Sequence, residues 1–130
     1  MQDSDLYPCP CCGYLMFGGP PGTFEICEIC GWEDDFAQLR FPALAGGANR
    51  VSLIEAQQNY RSAGNSDRRL SVRAPKDDER RDPAWRFFDH AVDGDGAAPD
   101  SGYVKTAFGM GAEPAGDQWY YWRKALKADG

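Results

Sequence analysis

The sequence predicts a small α+β protein, with short β-hairpins near its N-terminus packed against two or more α-helices. Three observations support this fold class. Two Cys-x2-Cys-Gly turns lie within residues 9–31, and a later segment carries helix-capping signals at both ends. Hydrophobic residues make up 42% of the chain, which is enough for a core and argues against a disordered protein.

The two cysteine turns predict a metal site. Cys9 and Cys12 enclose the first turn, Cys27 and Cys30 enclose the second, and a glycine follows each pair. Turns of this spacing can direct four sulfur atoms at one tetrahedral zinc ion, and glycine permits the positive φ that such a turn requires. We therefore predict one structural Zn2+ bound by these four cysteines, in a zinc-ribbon-like segment over residues 5–45.

Two other interpretations of the cysteines remain open. A disulfide pair would not explain the repeated glycine or the clustering of the thiols. A thioredoxin-like redox motif needs one Cys-x2-Cys that opens a helix after a strand, whereas Cys9 lies only nine residues from the start. The fifth thiol, Cys11, does not fit the two-residue gap, and we expect it to be a small buried packing residue rather than a reactive thiol.

The residues between the cysteine turns predict a β-hairpin. Residues 18–22 contain only glycine and proline, which is typical of a turn between strands. Residues 14–17 and 23–26 on either side are rich in apolar, aromatic or β-branched side chains. We expect these two runs to pair with each other across the turn.

Two helices are predicted outside the ribbon. Ser52 and Glu55 form a capping-box pattern and Gly64 can end the helix, which predicts a helix over residues 52–63. A second helix is expected from Asp117, with basic residues in its last turns. Its apolar residues recur at intervals of three and four: Trp119, Trp122 and Leu126.

We expect one domain over residues 1–130, with a helix and connecting segment at 46–90 and a C-terminal extension at 91–130. Residues 33–50 are predicted to form a loop. Residues 65–83 are predicted to be connecting chain, with or without a short strand near Leu70–Val72, followed by an apolar turn that begins at Pro83.

The charge pattern predicts a basic protein partner. The formal net charge is −6, and residues 1–60 hold eight acidic residues against two arginines. This balance disfavours general nucleic-acid binding, which depends on Lys and Arg contacts to phosphate. The acidic run Glu33, Asp34 and Asp35 is our candidate partner-binding site, with a solvated acidic loop as the simpler interpretation.

The N-terminus and the cysteine content predict a cytoplasmic location. Residues 1–7 are polar and acidic, unlike a signal peptide, and no run approaches the roughly 20 apolar residues of a membrane helix. An odd number of clustered cysteines suits metal binding in a reducing compartment. We expect no membrane association.

The sequence predicts no catalytic machinery. We find no phosphate-binding glycine motif and no convincing nucleophile with its base, and His90 is the only histidine. Four thiolate ligands also leave zinc no open position for a substrate. We therefore expect no enzymatic activity and no small-molecule substrate.

Several strings in the first two thirds of the chain resemble those of a known family. They are Tyr7–Tyr14, Glu25–Cys30, Trp32–Asp35, Gly46–Asn49 and Val51–Leu53. In these strings the chain resembles the cysteine-rich CPCC family, over roughly residues 6–88. The resemblance implies a small, bacterial, zinc-ribbon-like protein. Because members of this family look like companions of secreted-toxin loci, it also implies an immunity role.

Three functions follow as hypotheses. The first is a non-catalytic, zinc-stapled protein-binding module, with a toxin domain as the partner and immunity as the role. The second is a nucleic-acid-binding zinc ribbon that uses residues 61–81, which hold seven basic residues against four acidic ones. The third is a rubredoxin-like electron carrier, since the same cysteine turns also suit iron.

Overall fold

The computed structural model describes residues 6–98 and 120–124. Its α+β fold has this element order: β1 Tyr7–Pro8, β2 Leu15–Phe17, α1 Phe36–Arg40, α2 Leu53–Ala63, α3 His90–Asp93 and α4 Tyr121–Lys124. The two strands form one antiparallel sheet, in which Tyr7 pairs with Phe17 and Pro8 with Leu15. Among the described residues, no helix combines the length and apolar character needed to span a membrane.

The predicted pairing of residues 14–17 with residues 23–26 is wrong. Each cysteine turn instead reverses the chain within its own hairpin, because the amide of the first cysteine bonds to a carbonyl five residues later. These distances are 2.8 Å from Cys9 N to Tyr14 O and 2.9 Å from Cys27 N to Trp32 O. The strands flanking each turn therefore pair locally, as β1 with β2, and Ile26 with Glu33 in an isolated bridge.

The predicted loop at residues 33–50 contains a short helix, α1. Asp35 caps it, because its Oδ1 accepts hydrogen bonds from Ala37 N at 2.9 Å and Gln38 N at 3.4 Å. The helix buries Phe36, Gln38 and Leu39. Five residues are too few to show a helical repeat in the sequence, so the aspartate cap is the one local signal.

Helix α2 confirms its sequence signals. Ser52 Oγ accepts a hydrogen bond from Glu55 N at 3.1 Å, and Gly64 ends the helix in the left-handed conformation with φ 85°. Leu53, Ala56 and Gln57 face the core. The cap predicted from sequence therefore fixes the start of the helix and the direction of its buried face.

Residues 65–82 cross over the two hairpins and contain no strand at Leu70–Val72. Their backbone bonds one after the other to the cysteine turns and the strands beside them. The four bonds are Ser66 N to Cys30 O at 2.7 Å, Arg73 N to Glu28 O at 3.2 Å, Leu15 N to Arg80 O at 2.9 Å and Asp82 N to Gly13 O at 2.9 Å. The last two bonds form an isolated antiparallel bridge between Tyr14 and Arg81, and the other two are single bonds, so the segment does not form a continuous ladder.

The C-terminal aromatic residues enter the core. Tyr120, Tyr121 and Trp122 are all buried, and Trp122 Nε1 donates to the carboxylate of Asp82 at 3.0 Å. Of the helix predicted from Asp117, the described residues contain Tyr121–Lys124 as α4, and Tyr120 lies in a bend before it. Residues 117–119 and 125–130, with Trp119 and Leu126, lie outside the described residues.

A buried amide holds the segment between α1 and α2. The Gln38 side chain is fully buried, and its Nε2 donates to three backbone carbonyls while its Oε1 accepts two bonds from Asn49. The three carbonyls belong to Leu44 at 3.0 Å, Asn49 at 3.2 Å and Val51 at 3.0 Å. One side chain thus fixes the backbone of residues 44–51.

Replacing Gln38 with leucine should destabilise the fold strongly. The substitution keeps the volume but leaves several buried carbonyls and an amide without a partner. We expect the free energy of unfolding to fall by about 2–4 kcal/mol in urea denaturation. Gln58→Leu is the matched control, because Gln58 is exposed on α2. A Gln38→Leu protein as stable as the control would contradict the role of this network.

Candidate metal centre

The four predicted ligands form one buried cluster. The Sγ atoms of Cys9, Cys12, Cys27 and Cys30 all lie within 4.8 Å of one another. Sγ of Cys9 is 3.6 Å from that of Cys30, and Sγ of Cys12 is 3.7 Å from that of Cys27. A tetrahedral zinc ion with Zn–S bonds of about 2.3 Å places its sulfurs about 3.8 Å apart. The cluster therefore has the size and ligand number for one such ion.

The protonation of the thiols also fits a cation site. Burial raises the pKa of Cys9 and Cys30, while hydrogen bonds from Cys12, Cys30 and Cys9 and the Cys30 backbone amide lower the pKa of Cys27. Hydrogen bonds thus favour a thiolate on Cys27, whereas burial disfavours one on Cys9 or Cys30. A divalent cation would stabilise the full set of thiolates, and its binding would release protons.

The two cysteine turns share one backbone geometry. Gly13 N donates to Cys9 O and Gly31 N donates to Cys27 O, both at 2.7 Å. The two glycines have φ 85° and 89°, in the left-handed region. A Cβ at Gly13 would lie 2.5 Å from the Trp85 ring. Glycine is therefore required there both for the backbone angle and for the space that the tryptophan occupies.

Residues far from the first cysteine turn in the sequence bind its carbonyls. Pro10 O accepts hydrogen bonds from Gln57 Nε2 at 2.9 Å and from Trp85 Nε1 at 3.0 Å. Arg81 Nε donates to Cys12 O at 2.9 Å, with its guanidinium 4.7 Å from the centre of the Tyr14 ring. Sequence analysis missed these three residues, because 47 to 75 positions separate each donor from the carbonyl it binds.

Cys11 lies in the core beside the cluster but is not one of the four converging thiols. Its side chain is fully buried, and burial raises its pKa. This placement agrees with the expectation of a small packing residue. Trp32, which follows the second turn, is also fully buried and belongs to the same hydrophobic core as the cysteines.

The acidic run is not the surface patch that the sequence suggested. Asp34 and Asp35 are buried, with 2% and 6% of their surface exposed. Asp34 Oδ2 accepts bonds from Gly22 N, Thr23 N and Thr23 Oγ1, and Asp35 caps α1 and accepts from Ala48 N at 2.8 Å. Both aspartates therefore stabilise the fold, and of the three residues only Glu33 is partly exposed.

Comparison with known proteins identifies the family. The family model described as "Cysteine-rich CPCC" matches residues 7–79, more than half of the chain. The chain belongs to the cysteine-rich CPCC family. The CPCC segment contains all four clustered thiols together with α1 and α2. A search of the curated proteins finds no match.

Two of the CPCC-like strings, residues 32–35 and 46–49, contact each other directly. The side-chain amide of Asn49 bonds to both the N–H and the C=O of Glu33, each at 2.8 Å, and so pairs with it as a neighbouring strand would. A Cβ at Gly47 would lie 2.5 Å from Asp35 Oδ2. The strings 32–35 and 46–49 therefore depend on each other, because together they hold the second hairpin against α1.

Gly13→Ala should cost much more stability than Gly64→Ala. Both glycines have φ 85°, but a Cβ at Gly64 meets nothing within 4 Å. We expect a loss of about 1 kcal/mol for Gly64→Ala from the backbone angle alone. For Gly13→Ala we expect about 3 kcal/mol, because the Trp85 ring must also move. Equal losses in chemical denaturation would contradict the contact with the ring.

Cys27→Ser should abolish both metal binding and the order of the ribbon. Metal binding is worth roughly 10–16 kcal/mol in small zinc peptides, and much of that is folding free energy. Cys11→Ser is the matched control, because Cys11 is equally buried but lies outside the cluster. Elemental analysis should find about one metal ion per chain in the control and none in Cys27→Ser. An unchanged melting temperature in Cys27→Ser would contradict the structural role.

Proposed function

We propose that this protein is a non-catalytic protein-binding module ordered by one structural zinc ion, and that it gives immunity by binding a basic bacterial toxin. The observation that carries the proposal is the closed cage of four buried thiols contributed by two separate hairpins. Four sulfur ligands complete a tetrahedron, so a bound ion would keep no position open for water or substrate. Such a site orders the chain and performs no chemistry.

The acidic charge supports a basic partner. The formal net charge is −6, and four thiolates with one divalent ion would bring it to about −8. Complementary charge speeds the encounter of two proteins, which an immunity protein needs in order to capture its toxin early. Membership of the CPCC family supports the same role, because members of this family look like companions of secreted-toxin loci.

The contacts of the basic stretch 61–81 weigh against a nucleic-acid function. Arg73 forms a two-bond contact with Glu79, Arg81 lies over aromatic rings, and the Arg61 guanidinium lies 4.5 Å from the centre of the Phe87 ring. Guanidinium groups held in this way are less available for phosphate contacts, so the protein-binding role has the stronger support.

Metal analysis tests the zinc part of the proposal. Protein purified without added metal should be colourless and should contain about one zinc ion per chain. Red protein that contains iron would contradict the proposal and would favour electron transfer instead. The metal should be lost, with the ordered ribbon, on treatment with a strong chelator.

Co-expression tests the immunity part. Candidate toxins are taken from the genes that flank this one. Cells that produce the cognate toxin should survive when they also produce this protein, and the two proteins should co-purify. Cys27→Ser should fail to protect, whereas Cys11→Ser should still protect. A wild-type chain that neither binds nor protects would rule out the immunity role and leave the zinc module standing.

A further inference from the structure

A groove of about 690 Å³ lies beside the second cysteine turn. The second hairpin contributes Ile26 and Glu33 to its lining, and the segments 48–51 and 66–73 contribute most of the rest. The groove adjoins the cage of thiols only at Cys27, which has 1% of its surface exposed. Its character is therefore set by the surrounding side chains and not by the metal.

Exposed aliphatic side chains concentrate in this groove. Within the described residues, four large hydrophobic side chains are exposed, and two of them, Ile26 at 62% and Leu70 at 41%, line the groove. Ile26 is also the bridge partner of Glu33, and directly opposed residues of an antiparallel pair have side chains on the same face. An exposed aliphatic surface therefore lies next to a carboxylate.

The lining of the groove holds three arginines and three acidic residues, so its formal charge is zero, but one of these side chains has no charged partner in the described part of the chain. Its three arginines are all paired, as Arg50 with Asp67 at 3.0 Å, Arg69 with Asp67 at 3.5 Å and Arg73 with Glu28 at 3.1 Å. The carboxylate of Glu33, by contrast, forms no hydrogen bond or ion pair within residues 6–98 and 120–124. Glu33 is thus the one carboxylate of the groove lining that has no direct ion-pair partner within the described residues.

The position of Glu33 is fixed even though its carboxylate is unpaired. Its backbone N–H and C=O are both bound by the side chain of Asn49, and Asn49 is held in turn by Gln38. A rigid backbone reduces the entropy that is lost when a partner pairs with the side chain. The groove is therefore a pre-organised surface, in contrast to the loop patch that the acidic run suggested.

We propose that this groove binds a segment of a protein partner in which a Lys or Arg side chain lies beside an aliphatic one. The cation pairs with Glu33, and the aliphatic side chain packs on Ile26 and Leu70. This proposal rests on the proposed function, because it names the groove as the surface that binds the basic protein partner. A nucleic acid has less support here, because the arginines of the groove are already paired with carboxylates.

Peptide selection tests the groove without requiring the toxin itself. Random 12-residue peptides displayed on phage are selected against the zinc-loaded chain, and the enriched sequences should place Lys or Arg within two positions of Ile, Leu or Val. Ile26→Ser and Glu33→Gln should each weaken binding of the best peptide by about tenfold or more. Glu33→Lys should abolish binding, and a peptide with Glu in place of its basic residue should restore it.

Two control variants test whether the loss of binding is specific to side chains of the groove or follows from removing any exposed aliphatic or acidic side chain. Val92→Ser removes an equally exposed aliphatic side chain outside the groove, and Glu55→Gln removes an exposed carboxylate on α2. Both variants should bind the peptide as the wild type does. Zinc content and circular dichroism, measured on every variant, show that the fold is intact in each case.

Three outcomes would overturn the groove proposal: no enriched peptide, enriched peptides that are acidic, or peptide binding that Ile26→Ser and Glu33→Gln leave unchanged. Failure of the immunity role gives a different pattern, in which peptides still map to the groove but the neighbouring toxin is neither bound nor blocked. Salt-sensitive binding of a DNA or RNA oligonucleotide that weakens with Arg50→Ala would also contradict a protein-binding groove.

Discussion

The fold depends on the convergence of four thiols from two hairpins that are too short to be stable alone. The paired strands of the first hairpin have two and three residues, and the second has a single bridge. Isolated hairpins of this kind are marginal in water. The four thiols that they bring together could hold one metal ion, which would join the two hairpins. Each cysteine turn accordingly has its own glycine and its own closing hydrogen bonds.

Residues that are distant in the sequence support the two cysteine turns. Gln57, Arg81 and Trp85 bind the carbonyls of the first cysteine turn, and Ser66 binds a carbonyl of the second. Buried carbonyls without partners would destabilise the turns. Helix α2 and the segment that follows it are therefore part of the support for the thiols and not a separate unit beside them.

Signals that act within a few residues can be recognised in the sequence, whereas those that act across the chain cannot. The cysteine spacing and the caps of α2 are local signals. In the structure the four predicted thiols converge, and α2 begins and ends at its predicted caps. The predicted pairing of residues 14–17 is wrong, because the glycine and proline run resembles a hairpin turn while the cysteine turns themselves reverse the chain. The burial of Asp34 depends on contacts that no short window of sequence contains.

The coordination of the metal in the purified protein tests this account most directly. X-ray absorption at the zinc edge should show four sulfur neighbours at about 2.3 Å and no lighter direct neighbour. Nitrogen or oxygen atoms bound to the zinc, or protein that folds with no metal at all, would contradict the claim that four converging thiolates hold the two hairpins together.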